Sequence, residues 1–289
     1  MKMRKFLSFV MVFFVVGFAS AQDDLLNQLN AEKSDVKEIE TSAFKGLQIC
    51  NMQSTKLTAK GEWYMLVSHR FGDLTNGFDN FFGLDNALTK FGGIYGVSDW
   101  LSLGASRHTY QKTYELTAKY KLANQEISGF PATIVGYNTI DINSEKKDAT
   151  MPGLKFNHRL AYTTQLLISR KFSDSFSLEL TPIYVHKNLY DGIKDQKSTL
   201  LLGSGARYKV AKRLSVNLEY AARLNLPEES VSMYQNPLTI GLDIETGGHV
   251  FQLVLSNSQP MNDVAVYTNA LGDWNGGSIY FGFNMYRVF

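Results

Sequence analysis

The chain has 289 residues, of which 13% are aromatic and only 19% are charged, with a formal net charge of +2. This composition excludes a disordered chain, which would be rich in charge and poor in aromatic residues. The single cysteine excludes an intramolecular disulfide framework and a multi-cysteine metal site. Many aromatics with few charges fit either a well-packed soluble protein or a membrane protein with a lipid-facing surface.

The N-terminus has the features of a secretory signal peptide. Three basic residues come first: Lys2, Arg4 and Lys5. A mostly apolar run follows at residues 6–18, and Ala19-Ser20-Ala21 provides a small-residue cleavage pattern before Gln22. We predict Sec-dependent export and removal of residues 1–21, because the apolar run is short for a transmembrane anchor. Cleavage removes three basic residues, so the net charge changes from +2 to −1. No basic block remains that would indicate nucleic-acid binding.

Residues 22–59 are predicted to form a periplasmic or lumenal N-terminal segment. Residues 22–45 are polar and acidic with apolar residues at loosely helical spacing, which indicates a short helix or a mobile tail. Residues 46–57 have the sequence GLQICNMQSTKL, which fits either an additional strand or a segment inside a pore. The sequence leaves both alternatives open.

From residue 61 onward, apolar and polar residues alternate, as expected for strands with one apolar and one polar face. Residues 214–220 (LSVNLEY) show the pattern in its strictest form. We predict twelve strands, at residues 61–71, 89–97, 99–107, 111–123, 130–142, 157–172, 175–187, 197–209, 212–224, 236–246, 248–258 and 277–289.

The connections between these strands alternate in length, short ones such as Gly247 following long ones such as 225–235. Outer-membrane barrels have short periplasmic turns, longer external loops and an even number of strands. A soluble sandwich has no reason to sort its connections in this way. We therefore predict an all-β fold: a single transmembrane antiparallel β-barrel domain over residues 60–289, with about twelve strands in meander order. The predicted location is the outer membrane of a Gram-negative bacterium.

The last predicted strand supports this location. Its apolar face carries Ile279, Phe281, Phe283 and Met285, and the chain ends in Phe289. A final strand with a terminal Phe resembles the signal that the barrel-assembly machinery recognises, which implies this machinery and membrane lipid as partners. Arg287 departs from the pattern, because an apolar residue is usual there.

In a lipid-embedded barrel the apolar face points to lipid and the polar face to the lumen. On this register eight charged side chains are predicted to line the lumen: Glu115, Lys119, Glu179, Arg207, Glu219, Arg223, Asp243 and Glu245. Both signs are present, so these side chains either neutralise one another in a filled interior or line a pore. Twelve strands lie between the filled barrels of eight strands and the open porins of 16–18, and the alternatives stay open.

The predicted loop 72–88 contains a candidate constriction formed by Asp79, Phe81, Phe82 and Asp85. The loop either folds inward, so that the rings narrow the lumen and the carboxylates select cations, or packs on the barrel rim. We favour packing, because clustered aromatic side chains usually bury area.

No motif indicates catalysis, a metal site or a cofactor. Ser68 and His69 are adjacent, but adjacent residues on a strand point to opposite faces, and the sequence has no G-x-S-x-G motif. The five histidines lack metal-ligand spacing. Gly203 and Gly205 lie inside a predicted strand, where glycine relieves crowding or allows a bend. We predict that the protein is not an enzyme.

Residues 67–125 resemble a family of outer-membrane β-barrel proteins. The resemblance depends mainly on His69-Arg70-Phe71-Gly72 and on FFGLDNA at residues 81–87. The family is an uncharacterised, domain-of-unknown-function group typical of bacteroidete bacteria. The resemblance implies the fold and the location, and it supplies no activity, ligand or catalytic residue.

Two functions are compatible with these features. We expect a passive channel for small solutes, with the lumenal charges tuning selectivity. The alternative is a non-conducting barrel that anchors or docks a periplasmic or cell-surface partner through residues 22–57 and the loops. A blocked lumen would favour the alternative.

Overall fold

The computed structural model describes residues 38–145, 151–192, 195–225, 233–247 and 249–289. The predicted signal peptide and residues 22–37 lie outside these ranges. Among the described residues, no helix is both long enough and apolar enough to span a membrane.

Twelve antiparallel strands form a closed sheet, which we call the wall. Their bounds are β1 Trp63–Asp73, β2 Leu88–Ser98, β3 Leu101–His108, β4 Thr113–Ala123, β5 Thr133–Asn143, β6 Leu160–Lys171, β7 Phe176–Lys187, β8 Ser198–Ala211, β9 Leu214–Arg223, β10 Leu238–Thr246, β11 His249–Ser256 and β12 Tyr280–Val288. Each strand pairs with its neighbours in sequence, and β1 pairs with β12, so the sheet closes into a barrel of meander order. The prediction of a single antiparallel barrel with about twelve strands is confirmed.

The wall is apolar outside and largely polar inside, the inverse of a soluble barrel. Along β8 the outward side chains of Leu200 and Leu202 are 47% and 39% exposed, whereas Thr199 and Arg207 on the inward face are buried. Along β12, Phe283 alternates with the buried Asn284 in the same way. A closed sheet satisfies its own backbone hydrogen bonds, as a lipid-embedded protein requires.

The two ends of the barrel differ in the length of their connections. At the short-turn end the connections are 99–100, 124–132, 172–175, 212–213 and 247–248. At the long-loop end they are 74–87, 109–112, 144–159, 188–197, 224–237 and 257–279. The tightest of the second set is 109–112, where Gln111 and Lys112 take positive φ angles of 49° and 48°.

The described helical elements all lie at the long-loop end. Three are 3-10 segments, at Leu74–Gly83, Tyr110–Lys112 and Phe156–Arg159. The α-helix α1, Asp263–Thr268, lies in the connection between β11 and β12, and all six of its residues are buried.

The chain divides into two compact units. The larger unit comprises residues 40–125 and 131–289 and contains the barrel. The smaller unit comprises residues 1–39 and 126–130. In its described part, Ile39 forms an antiparallel bridge with Glu126, and the amide of Ile127 donates to the carbonyl of Glu38 at 2.9 Å.

Candidate functional site

Residues 43–58, which we call the plug, occupy the barrel lumen. The segment enters at the short-turn end, where the amide of Glu40 donates to the carbonyl of Gln125 at 2.8 Å, and returns to the same end near Gly61. It folds back on itself, since the Ser54 amide donates to the Leu47 carbonyl at 3.1 Å. Every residue from 46 to 55 is buried. The plug pairs with no wall strand, so the barrel side chains, and not a sheet, hold it in place.

Glu219 on β9 fixes the tip of the plug. Its carboxylate accepts the backbone amides of three consecutive residues: Cys50 at 3.0 Å, Asn51 at 2.8 Å and Met52 at 2.9 Å. The Glu219 residue is only 3% exposed. Hydrogen bonds to a charged group are stronger than neutral ones, contributing about 1.5–3 kcal/mol each. The Arg70 guanidinium also donates to Asn51 Oδ1 at 2.8 Å, so Glu219 is one of several wall anchors of the tip.

Neighbouring charged side chains of the wall bind plug backbone groups of opposite polarity. The Lys119 ammonium donates to the carbonyls of Leu47 at 2.8 Å and Ser54 at 3.0 Å. The Glu179 carboxylate accepts the Thr55 amide at 3.1 Å. Cations thus bind plug carbonyls and carboxylates bind plug amides, so these charges are occupied by the chain itself.

Four of the other five charged residues predicted for the lumen have partners on the wall, whereas Arg223 donates to Asn236 of the connection after β9. Asp243 accepts hydrogen bonds from Asn217 at 2.7 Å and Gln252 at 2.8 Å. Arg207 and Glu245 form an ion pair of 2.9 Å. The structure buries six of the eight: Glu115, Lys119, Glu179, Arg207, Glu219 and Asp243. Arg223 and Glu245 are of intermediate exposure.

A second element fills the lumen from the long-loop end. Residues 260–268, which we call the loop insert, include α1 and are all buried. The Asp263 amide donates to Glu115 on β4 at 3.1 Å, and Glu115 also accepts from Lys90 at 2.8 Å. The Asp263 side chain accepts from Gln53 of the plug at 3.4 Å. The plug and the loop insert therefore meet inside the barrel.

An apolar core forms where these elements meet the wall. It joins Met52 of the plug, three side chains of α1 and four of the wall: Val264, Val266, Tyr267, Ile183, Val185, Leu201 and Ala221. A cavity of about 20 Å³ between the plug and the wall near Lys90 has the size of a single water site. Side chains of the plug, α1 and the wall are therefore in direct contact inside the barrel.

Three inward glycines of the wall make room for the plug. A Cβ atom on Gly203 would lie 2.5 Å from the Cε of Met52, and one on Gly205 would lie 2.3 Å from the Cδ1 of Ile49. At Gly241 it would lie 2.3 Å from the Sγ of Cys50. These glycines relieve crowding with the plug. Burial also raises the pKa of the Cys50 thiol, which keeps it protonated.

We expect Gly205→Leu to destabilise the protein and Ile49→Ala to restore much of the loss in the double variant. The larger side chain would overlap Ile49, and overpacking costs about 1–3 kcal/mol. The measurement is the midpoint of the heat-induced shift in gel mobility. Gly93→Leu is the matched control, because a Cβ there approaches only the Tyr64 carbonyl, at 3.8 Å. Strictly additive effects of the two substitutions would contradict a direct contact.

The candidate constriction lies on the rim and not in the lumen. Phe81 and Phe82 are 57% and 45% exposed, and Asp79 and Asp85 are exposed as well. The loop folds back on the end of β1, because Gly83 approaches Gly72 so closely that a Cβ there would lie 2.3 Å from the Gly72 carbonyl oxygen. The plug and the loop insert narrow the lumen instead.

Several buried polar residues of the lumen are not among the residues predicted from the sequence. Lys90 on β2 and Asp141 on β5 are 3% and 4% exposed. Their inward position follows from the same alternation that identified Glu115, so the pattern contained the signal. Asn262 and Asp263 lie in a connection without any periodicity, and no sequence signal marks them.

The family model of the membrane-bound β-barrel domain (DUF5777) matches residues 44–289. The chain belongs to this family. The match begins within the plug, so the membrane-bound β-barrel domain includes most of the plug as well as the wall. No curated protein matches the sequence.

Solved porin structures share the fold of this membrane-bound β-barrel domain. A KdgM porin is 10% identical, with a TM-score of 0.50 over 78% of this chain and 99% of the porin. A KdgM porin in complex with disordered oligogalacturonate is 9% identical, with the same TM-score and coverage. A NanC porin is 9% identical, with a TM-score of 0.49 over 78% of this chain and 98% of that one. At these identities the likeness to the two KdgM structures shows the fold alone.

Proposed function

We propose that the protein is an outer-membrane barrel with a sealed lumen, which docks or binds a partner at its exposed ends and does not conduct in its resting state. The apolar core that joins Met52, α1 and the wall supports this proposal. Solutes would have to displace close-packed side chains to cross it. The plug contributes Met52 to this core, and the loop insert contributes three side chains of α1.

The orientation follows the usual arrangement of outer-membrane barrels, with short turns in the periplasm and long loops outside. We propose that residues 1–21 direct export, that cleavage precedes Gln22, and that residues 22–59 form the periplasmic and lumenal segment. Assembly would require the barrel-assembly machinery and lipid, and the family resemblance favours a bacteroidete source. The role requires no catalysis and no cofactor.

Passage of small solutes is the second candidate function. It is favoured by the wall charges Lys119, Glu179 and Glu219, which would line an aqueous pathway if the plug left. The fold is that of porins, one of which was solved with oligogalacturonate. In this candidate the plug is a gate, and the described arrangement is its closed state.

The two candidates predict different electrical behaviour in a planar lipid bilayer. We expect no discrete single-channel steps from the purified mature wild-type protein, because the lumen is packed. A heat-modifiable gel band in the outer-membrane fraction provides the control for folding and location. Reproducible steps from the untreated wild-type protein would overturn the sealed lumen and favour passage of solutes.

A further inference from the structure

A groove of about 360 Å³ lies on the outer, lipid-facing surface of the wall, across β6 to β9. We call it the outer groove. In two rows of paired outward side chains, a small residue of β8 lies between larger residues of β7 and β9: Leu178, Ala206 and Leu218 in one row, and Leu180, Ser204 and Tyr220 in the other. The Ser204 hydroxyl donates to the Tyr220 carbonyl at 3.4 Å, so the groove presents mainly apolar atoms to the bilayer.

The packing of the plug does not account for the outer groove. The inward Gly205 leaves room for Ile49 of the plug. Ser204 and Ala206 point to the opposite face of the sheet, so no plug side chain restricts their size. Within a bilayer this depression is filled, because a void beside apolar side chains would forfeit their dispersion contacts. An acyl chain has the shape and polarity that fit it.

A positively charged group lies at the short-turn end of the outer groove. The guanidinium carbon of Arg170 is 5.1 Å from the centre of the Phe172 ring, and both residues line the groove. Arg170 is exposed, and within the described residues its guanidinium forms no hydrogen bond or ion pair. Phe172 pairs with Phe176, with 5.9 Å between ring centres, as part of an aromatic belt of the kind that marks a membrane interface. The guanidinium therefore lies at the level of the lipid headgroups.

The other charged groups at this end of the groove have partners. Glu179 is the second charged residue of the lining, but its side chain points into the lumen and binds the plug backbone. Lys171 forms ion pairs with Glu40 at 3.1 Å and with Asp174 at 3.0 Å. Arg170 is thus the charged group that the outer groove presents to lipid.

We propose that the outer groove holds one glycerophospholipid molecule, with an acyl chain along β8 and its phosphate on the Arg170 guanidinium. A planar guanidinium donates two parallel hydrogen bonds to phosphate oxygens. With the short turns in the periplasm, the groove faces the periplasmic leaflet, which is the phospholipid leaflet of an outer membrane. The proposal uses this orientation and goes beyond the proposed function, because it holds whether or not the lumen conducts.

The test measures lipid binding by native mass spectrometry, with the full mature protein in a phosphate-free, non-ionic detergent. Phosphatidylglycerol provides acyl chains and a phosphate, dioleoylglycerol provides the chains alone, and glycerol 3-phosphate provides the phosphate alone. We expect saturable binding of one phosphatidylglycerol molecule. The two partial probes should bind far more weakly, because each engages only the groove or only the guanidinium.

Two variants address the two parts of the site. Arg170→Ala should weaken phosphatidylglycerol binding about fivefold, the contribution of a single arginine at a membrane surface. Ala206→Leu fills the groove and should weaken binding to a similar extent. The matched controls are Arg287→Ala, which removes an arginine 4.6 Å from the Phe289 ring and outside the groove, and Ala105→Leu on the outward face of β3. Both controls should bind as the wild type does.

Heat-modifiable gel mobility establishes that each variant is folded. The proposal is overturned if the folded wild-type protein shows no saturable phosphatidylglycerol binding or binds dioleoylglycerol as tightly. It is also overturned if either site variant binds no more weakly than its matched control. Failure of the proposed function has a different signature. Single-channel steps in the wild-type protein, together with phosphatidylglycerol binding that depends on Arg170, would remove the sealed lumen and support the lipid site.

Discussion

Removing both the plug and the loop insert is expected to convert a non-conducting barrel into one that shows discrete single-channel steps. The variant lacks residues 43–58 and carries a short Gly-Ser linker in place of residues 260–270. The plug and the loop insert share the Gln53–Asp263 hydrogen bond and the apolar core around Met52, and the plug also packs on Val254 of β11. Each still occupies part of the lumen when the other is removed, so we expect a conducting lumen to require the loss of both. The measurement is current in a planar bilayer.

The two single variants are the matched controls for this experiment. We expect each to be silent or to conduct far less than the double variant, because the remaining filling still closes the lumen. A heat-modifiable gel band must show that the wall folds without its fillings. A plug deletion that conducts as well as the double variant would show that the loop insert is not a barrier.

Glu219→Ala is expected to free the tip of the plug without unfolding the wall. Three buried amides, those of Cys50, Asn51 and Met52, would lose their acceptor. Loss of one partner from a buried charged network costs about 3–5 kcal/mol. Because each 1.4 kcal/mol corresponds to a factor of ten, the hydrogen-exchange protection of these amides should fall about 10²–10⁴-fold.

Glu219→Gln is the conservative control, because it keeps one acceptor oxygen in place and should give an intermediate loss of protection. The ladder between β7 and β8 serves as an internal reference, and its amides should exchange at the wild-type rate. Unchanged protection of Cys50, Asn51 and Met52 in Glu219→Ala would show that contacts other than those with Glu219 hold the tip of the plug.

The wall was predictable because lipid imposes one rule on every strand. In β4, the exposed Tyr114 and Leu116 alternate with the buried Glu115, so the twelve strands and the inward residues follow from a period of two. The same rule explains why Lys90 and Asp141 could have been found. Ile183, Val185 and Leu201 are exceptions, since these inward apolar side chains pack against the plug and α1.

The positions of the plug and the loop insert were only partly predictable, because their contacts join distant parts of the chain. Glu219 binds residues that precede it by 167–169 positions, and no local pattern reports such a pairing. Residues 46–57 were compatible with a strand or with a lumenal segment. The structure has them in the lumen, where wall side chains satisfy their backbone groups in place of a neighbouring strand. For the rim loop the sequence favoured packing on the rim without fixing its partner, since the approach of Gly83 to Gly72 is visible only in three dimensions.

The pairing of β1 with β12 has a mechanical consequence. The plug leads directly into β1 at Trp63, and the connection that carries the loop insert leads into β12 at Tyr280. The plug and the loop insert are thus both tethered to the β1–β12 seam, where the first and last strands meet. A partner that tilts this seam would pull on both tethers in one movement, whereas a partner bound to the opposite wall would have to dislodge each filling separately.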